Sequence, residues 1–530
     1  MSVIDTGSFS RFDSGLSEPV DRAPERSGAT AERSERSRDS GRRSAPQSSE
    51  SPFFSFSGGE AASEAEPSLG NTANNSSAKR DRRRRRFELR EKSRLFADRT
   101  PVSFEDVDPD TQRVIKTGER AREDRFLACG HRSYGGAVGV VFDADQNRAG
   151  FSGLQSCGSV WACAVCASKI QVHRADELGQ VLAWARLEKL TVAMVTMTVR
   201  HSATNPLVET VDPQTGEVVA GVWDAISSGW GAVTSGSQWV SENEDRFTER
   251  LEKWEAARVL ALEGKGRMPR GGRHNIPPIR RIGDQERFGL KGWARAVEVT
   301  HGLNGWHVHV HAVLVLDGAK DKAIQNAFTI GGRMWSRWEA GNAKAGFTAM
   351  KNLGGLDIRV SAAAEKRLAE YLQKDGLDES AAAVKVSIEA AGRKVAAEAV
   401  MGAGKLARRG GRTPFQILDD IDPEDPGRDF AIWREWVEGS KGKRQLTWSA
   451  ALREMAGLAV EELTDEEVAA QDLGGAIVVL VPAETWAAVR RSSWELLDIV
   501  ETQGALGLVD WLSQRGLASE LAPDQQSASG

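Results

Sequence analysis

The sequence predicts an α+β fold: an antiparallel sheet with a histidine-bearing strand near its centre and helices packed on one face. Two observations carry this expectation. Residues Trp293 to Leu316 form the strongest β signal in the chain, two β runs around Asn304-Gly305, a dipeptide that favours tight hairpin turns. Residues Thr191 to Val199 are apolar and β-branched, as a buried strand is. Helices follow for Phe247 to Leu262 and Ala362 to Lys374, and one more strand for Ala476 to Val481.

The 530 residues, 27% charged and 40% hydrophobic, allow two or three domains and a sizeable core. A net charge of −5 excludes a chain that coats nucleic acid by bulk charge, so any such affinity rests on local basic patches. No apolar run reaches the length of a membrane span. Met1 to Ser10 lack the basic start and apolar core of a secretory signal, and cytoplasmic residence is expected. Residues 1 to about 78 are too poor in large apolar side chains to offset their chain entropy. The run Lys79, Arg80, Arg82, Arg83, Arg84, Arg85, Arg86 follows, either a solvated tail or a phosphate-binding arm. The expected organisation is a disordered basic tail (1–86), a small cysteine module (125–175), a main domain (176–380) with a surface insertion (241–285), and a mainly helical C-terminal region (381–530) without a legible role.

The decisive segment is Gly305-Trp-His307-Val-His309-Val-His311. Side chains alternate along a strand, so the three imidazoles share one face and the valines face a core. With eight histidines in the chain, three on one face within five positions point to metal binding rather than coincidence. A turn at Asn304-Gly305 sets Glu298 opposite His311, and a loop over 302–305 sets it opposite His309. Either even loop keeps Glu298 and Thr300 on the histidine face, and an odd loop turns them away. Glu298 is then a carboxylate ligand, or the group holding a histidine's second nitrogen. A mixed His/Glu site with an open position suits Mg²⁺ or Mn²⁺ acting on phosphate, and zinc also accepts imidazole. His201, after the Thr191–Val199 run, is either structural or a further ligand, and Trp306 beside the histidines is placed to stack a base.

There are two tyrosines, Tyr134 and Tyr371. On a helix, Arg367, Tyr371 and Lys374 share a face. Two cations beside a phenol favour its ionised form and also bind phosphate. Tyr371 is either a boundary aromatic or a covalent nucleophile, and its place downstream of the histidine strand favours the second.

Cys129, Cys157, Cys163 and Cys166 have the spacing of a zinc site, with Cys163-Ala-Val-Cys166 as its knuckle. His131 or His173 can stand in for one ligand, and a thioredoxin-like pair is the rival reading. The run Lys405 to Arg412 is either solvated or in contact with phosphate.

His307-Val-His309-Val-His311 and Tyr371-Leu-Gln-Lys374 resemble the second and third motifs of rolling-circle replication initiators, and Thr196-Met-Thr198-Val-Arg200-His201 resembles the first. Cys157 to Cys166, Glu298 to His307 and Thr413 to Leu418 are similar to segments of Rep proteins from actinobacterial plasmids, within the HUH endonuclease superfamily. The resemblance runs from about Cys129 to about Leu458. It implies a ferredoxin- or RRM-like palm and a cation on His309 and His311, with His307 or Glu298. It further implies attack by Tyr371 on origin DNA that is single-stranded at the nick, giving a 5′-phosphotyrosine and a free 3′-OH. Host helicase and polymerase are the implied partners. One position departs: such initiators often carry a glutamate four residues before the tyrosine, where this chain has Arg367, leaving Glu365 or Glu370 to serve termination. The rival readings are a single-tyrosine transposase or relaxase and, from another class, a non-catalytic zinc-containing DNA-binding regulator.

Overall fold

The computed structural model describes residues 72–97, 102–107, 111, 114–120, 125–270, 279–360, 411–472 and 474–523. The elements that position the site are, in chain order, α1 (Thr72–Leu95), β1 (Ala137–Asp143), β2 (Arg148–Ser152), α2 (Ala164–Leu187), β3 (Thr191–Thr198), α3 (Val222–Thr234), α4 (Glu244–Leu262), β4 (Leu290–Gly302), β5 (Gly305–Leu316), α5 (Lys320–Lys344), β6 (Leu356–Val360), α6 (Pro414–Asp420), α7 (Gly427–Gly439), β7 (Leu446–Trp448), β8 (Ala476–Pro482), α8 (Ser493–Ser513) and β9 (Glu520–Leu521).

Five strands form an antiparallel sheet in the order β6-β3-β5-β4-β7, with the histidine strand β5 at its centre. Alternation along β5 decides what covers each face. Val308, Val310, Ala312, Leu314 and Leu316 are buried in one core with Ile226 and Trp230 of α3 and Ile330, Met334 and Trp338 of α5. On the opposite face the histidines give way to Val313 and Val315, which share cores with Leu178, Val181, Leu182 and Ala185 of α2. Helices therefore cover both faces, not one as expected. The face that is polar at His307 to His311 turns apolar two residues later, and that end needs its own cover.

The hairpin turn also differs from the Asn-Gly expectation. Gly302 pairs with Gly305, leaving Leu303 and Asn304 at the tip. Gly305 has φ +79°, and a Cβ there would lie 2.9 Å from the carbonyl oxygen of Ser202, so both backbone and space require glycine. The resulting register sets Glu298 opposite His309 and Thr300 opposite His307.

A second antiparallel sheet has the order β9-β8-β1-β2. Val138, Val140, Val479, Val481, Trp486, Leu496 and Leu508 make its core with α8. The expected strand Ala476–Val481 is present as β8, and its partner is β1. Residues 125–175 thus do not stand alone as a module. A hairpin such as β1-β2 buries too little by itself and is completed from the C-terminal region. The expected boundary at 175 falls inside α2.

The basic run is not a disordered tail within the described residues, and residues 1–71 lie outside them. Arg82 to Arg86 belong to α1, which buries Phe87 and Leu89. Arg83 is buried on Glu501 and Arg80 reaches Asp498, both in α8. Arg85 pairs with Asp419 and Arg86 donates to Ser168 Oγ. No described helix is long and apolar enough to cross a membrane.

Candidate metal and phosphate site

The histidine face is built by three strands in register. β3 lies on one side of β5, with Thr196 opposite His311 and Thr198 opposite His309. β4 lies on the other, with Glu298 opposite His309. Thr198 Oγ1 is 2.8 Å from His309 Nδ1, and Thr196 Oγ1 is 3.0 Å from His311 Nδ1. Diagonally across, His311 Nε2 lies 3.1 Å from Glu298 Oε2. A carboxylate only accepts, so the His311 ring gives Nε2–H to Glu298, and the neutral form of that ring would take the Thr196 hydroxyl proton at Nδ1.

His307 lies apart from that pair. Its Nδ1 faces His201 Nδ1 at 3.4 Å, the rings 4.7 Å apart. His309 stands between, 4.0 Å by ring centroid from His307 and 6.1 Å from His311. Burial pushes His309 down to about 3, helped by the charges of His307 and His311, and burial with the charge of His201 pushes His307 down to about 4. Both rings are neutral at physiological pH, with a lone pair available to a cation. Two ligand atoms on one octahedral cation with bonds of about 2.1 Å lie about 3 Å apart, and the His311–Glu298 pair fits that spacing. Among the described residues, the group of three or more ligand atoms mutually within 4.8 Å is that of the cysteines, not the histidines.

Trp306 is buried, so the expectation that it stacks a base is corrected. Its Nε1 donates to Glu435 at 2.8 Å, and its ring stacks on Trp436 at 5.4 Å. Trp436 donates to the carbonyl of Trp161, in the loop between Cys157 and Cys163. A chain of indoles thus joins the histidine hairpin to the cysteine cluster.

All four cysteines meet. Cys163 caps the start of α2 and Cys166 lies in its first turn. Sγ of Cys129 is 3.8 Å from Cys163 and 3.5 Å from Cys166, and Cys157 is 3.6 Å from Cys166. Four buried sulfurs this close can hold a metal such as zinc, whose tetrahedral thiolates lie about 3.8 Å apart. His131 is occupied by Glu91 at 2.8 Å and His173 lies 3.5 Å from Glu177, so neither replaces a cysteine. The neighbouring sulfurs hold Cys129 far below the usual thiol range and push Cys157 and Cys163 up. The first proton leaves easily, and a cation draws off the others.

Of the remaining expectations, Tyr371, Arg367, Lys374, Glu365 and Glu370 lie outside the described residues. The ends of that segment are described. Val360 pairs with Ala193 on the sheet edge, and the backbone of Arg412 bonds to His301. Gly411 sits so that a Cβ would lie 3.6 Å from Thr300 Oγ1, beside the histidine face. Arg412 is engaged by Asp429 at 2.6 and 2.7 Å and by Asp420 at 2.9 Å, not left open to phosphate. Arg83, buried on Glu501, is likewise corrected as a DNA contact. Sequence reading gave no role to Thr196 and Thr198, although their two-residue spacing equals that of His309 and His311 and signals a shared face.

No protein-family model matches the chain, and no solved structure does. The chain is 26% identical over 409 residues to the protein rep of Streptomyces lividans, covering 70% of this chain and 80% of that one. It is 24% identical over 220 residues to a neomycin resistance protein of Streptomyces cyanogenus, covering 38% of this chain and 41% of that one.

Proposed function

We propose that the chain is a plasmid rolling-circle replication initiator, an endonuclease of the HUH type that nicks one strand of origin DNA. The observation that carries this reading is the pairing of His311 with Glu298, 3.1 Å apart, beside the neutral His309 on the central strand. The similarity to a protein named rep supports it.

His309, His311 and Glu298 would hold Mg²⁺ or Mn²⁺, which stabilises charge on the scissile phosphate when bound. The Tyr371 oxygen attacks phosphorus while the bond to the 3′ oxygen breaks. The phenolic proton passes to solvent, and the departing oxygen takes one up as the 3′-OH. The phosphodiester is exchanged rather than lost, so the phosphotyrosine can later be rejoined. Arg367 and Lys374, four residues before Tyr371 and three after it in the sequence, would favour the phenolate and bind phosphate. Host helicase and polymerase then extend the freed end. Arg82, exposed on α1, is the arginine of the basic run best left to meet DNA, and Arg84, also exposed, is shared with Asp81 and Glu88.

The test is an origin oligonucleotide labelled 3′ of the cut, incubated with protein and Mn²⁺ and run on a denaturing gel. Wild type and Tyr134→Phe form a covalent adduct, and Tyr371→Phe forms none while keeping its fold and its DNA affinity. An adduct in Tyr371→Phe, or none in the wild type with any divalent cation, overturns the reading.

A further inference from the structure

We propose that Thr196 and Thr198 are positioning residues that set the tautomer and ring orientation of His311 and His309 through reversible hydroxyl–Nδ1 hydrogen bonds. The argument begins with register. Two threonines spaced by two on β3 face two histidines spaced by two on β5, and the antiparallel pairing matches them one to one. Distances of 2.8 and 3.0 Å make both contacts hydrogen bonds. A slip of one residue would break both at once.

The hydroxyl is suited to the task because it both donates and accepts. In the metal-free protein His311 gives its Nε2 proton to Glu298, and Thr196 donates to Nδ1 of the neutral ring. For Nε2 to ligate a cation its proton must leave, and the neutral ring then carries a proton at Nδ1. The same hydroxyl accepts that proton after rotating about its C–O bond, with no movement of the backbone. A carboxylate in its place could only accept, and would hold the ring as a charged pair. Thr198 serves His309 in the same way. Both threonines sit beside the ligands and touch no reacting atom, so they act through the rings.

The metal consequence rests on the nuclease reading, and the tautomer claim does not. The experiment uses the full chain with ¹⁵N-labelled histidine. Imidazole ¹⁵N shifts, which separate the Nδ1–H and Nε2–H forms, are recorded without metal and with Mg²⁺. Mn²⁺ affinity is measured in parallel by electron paramagnetic resonance. Wild type should show His311 as Nε2–H without metal and Nδ1–H with Mg²⁺. Thr196→Val and Thr198→Val, close in shape and compatible with a strand, should each give mixed tautomers and bind Mn²⁺ roughly ten- to a hundred-fold more weakly. Thr196→Ser and Thr198→Ser should restore both signals. Single wild-type-like tautomers in the valine variants, or serine variants no better than valine, overturn the proposal. A wild type that binds no Mn²⁺ overturns the nuclease reading, and the metal-free spectra still decide the threonines.

Discussion

Replacing Cys163 with alanine removes one sulfur from a cluster whose Sγ separations run from 3.5 to 3.8 Å. Structural zinc contributes an apparent 10–16 kcal/mol, roughly, at neutral pH. Losing one of four thiolates then costs at least about 3–4 kcal/mol, and more once the ion itself is lost. The loss is felt widely, because the cluster is a joint. Arg94 of α1 holds the carbonyls of Leu127 and Cys129, and Ser93 holds that of Ala162. At about 1 °C per kcal/mol for a unit of several hundred residues, the melting temperature falls by at least about 3–4 °C. The assay pairs elemental analysis of protein purified without chelator with calorimetric melts. Wild type should carry one zinc per chain, and Cys163→Ala little. Chelator should lower the wild-type melt to near that of the variant and leave the variant unmoved. Proton linkage gives a further check. Binding expels thiol protons, so zinc affinity should fall as the solution is acidified from about pH 8 to about pH 6, by more than tenfold per unit. Unchanged zinc content in Cys163→Ala, or melts that coincide, would refute the reasoning.

His309→Ala and His311→Ala should abolish nicking while single-stranded DNA binding, read by fluorescence anisotropy, largely survives. Normal nicking by both variants in Mg²⁺ and Mn²⁺ would count against their role as ligands. Arg83→Ala should leave Glu501 with the Ala149 amide at 2.8 Å and the partly exposed Lys79 at 3.5 Å, and cost about 3 kcal/mol, the low end for a broken buried pair. The double variant Arg83→Met, Glu501→Leu should recover most of that loss in a denaturant titration, and equal instability of single and double variants would defeat the argument.

What could be read in the sequence was what local periodicity encodes. Two-residue alternation put His307, His309, His311 and Glu298 on one face, and any even loop preserved that. Which histidine faces Glu298 depended on whether Asn304 joins Gly305 at positive φ, as a two-residue Asn-Gly turn requires, and Asn304 does not. The four cysteines were legible because ligand type and spacing are chemical facts, and their meeting needed the fold only to close a loop. The arginine run was misread for a physical reason. Locally it is a block of like charge with no core, and its neutralising carboxylates, Asp498 and Glu501, belong to α8. The helix on the second face of the main sheet is signalled only by Val313 and Val315, where the polar face ends and an apolar one needs cover.

The closure of the second sheet sets a clock on biosynthesis. Ala149 bonds to Glu501, 352 residues later, and Arg80 to Asp498, 418 residues later. At about 5–20 residues per second, those acidic partners leave the ribosome some tens of seconds after β1 and β2. Strands β3 to β6 are all made in the interval, so most of the main sheet can assemble first. Meanwhile β1 presents an open edge, and Arg80 and Arg83 of α1 wait for their carboxylates. A chain cut short before Ala476 would keep that edge exposed, a surface prone to aggregation and proteolysis. A chain that reaches β8 and α8 closes that edge, and one cut short before them does not.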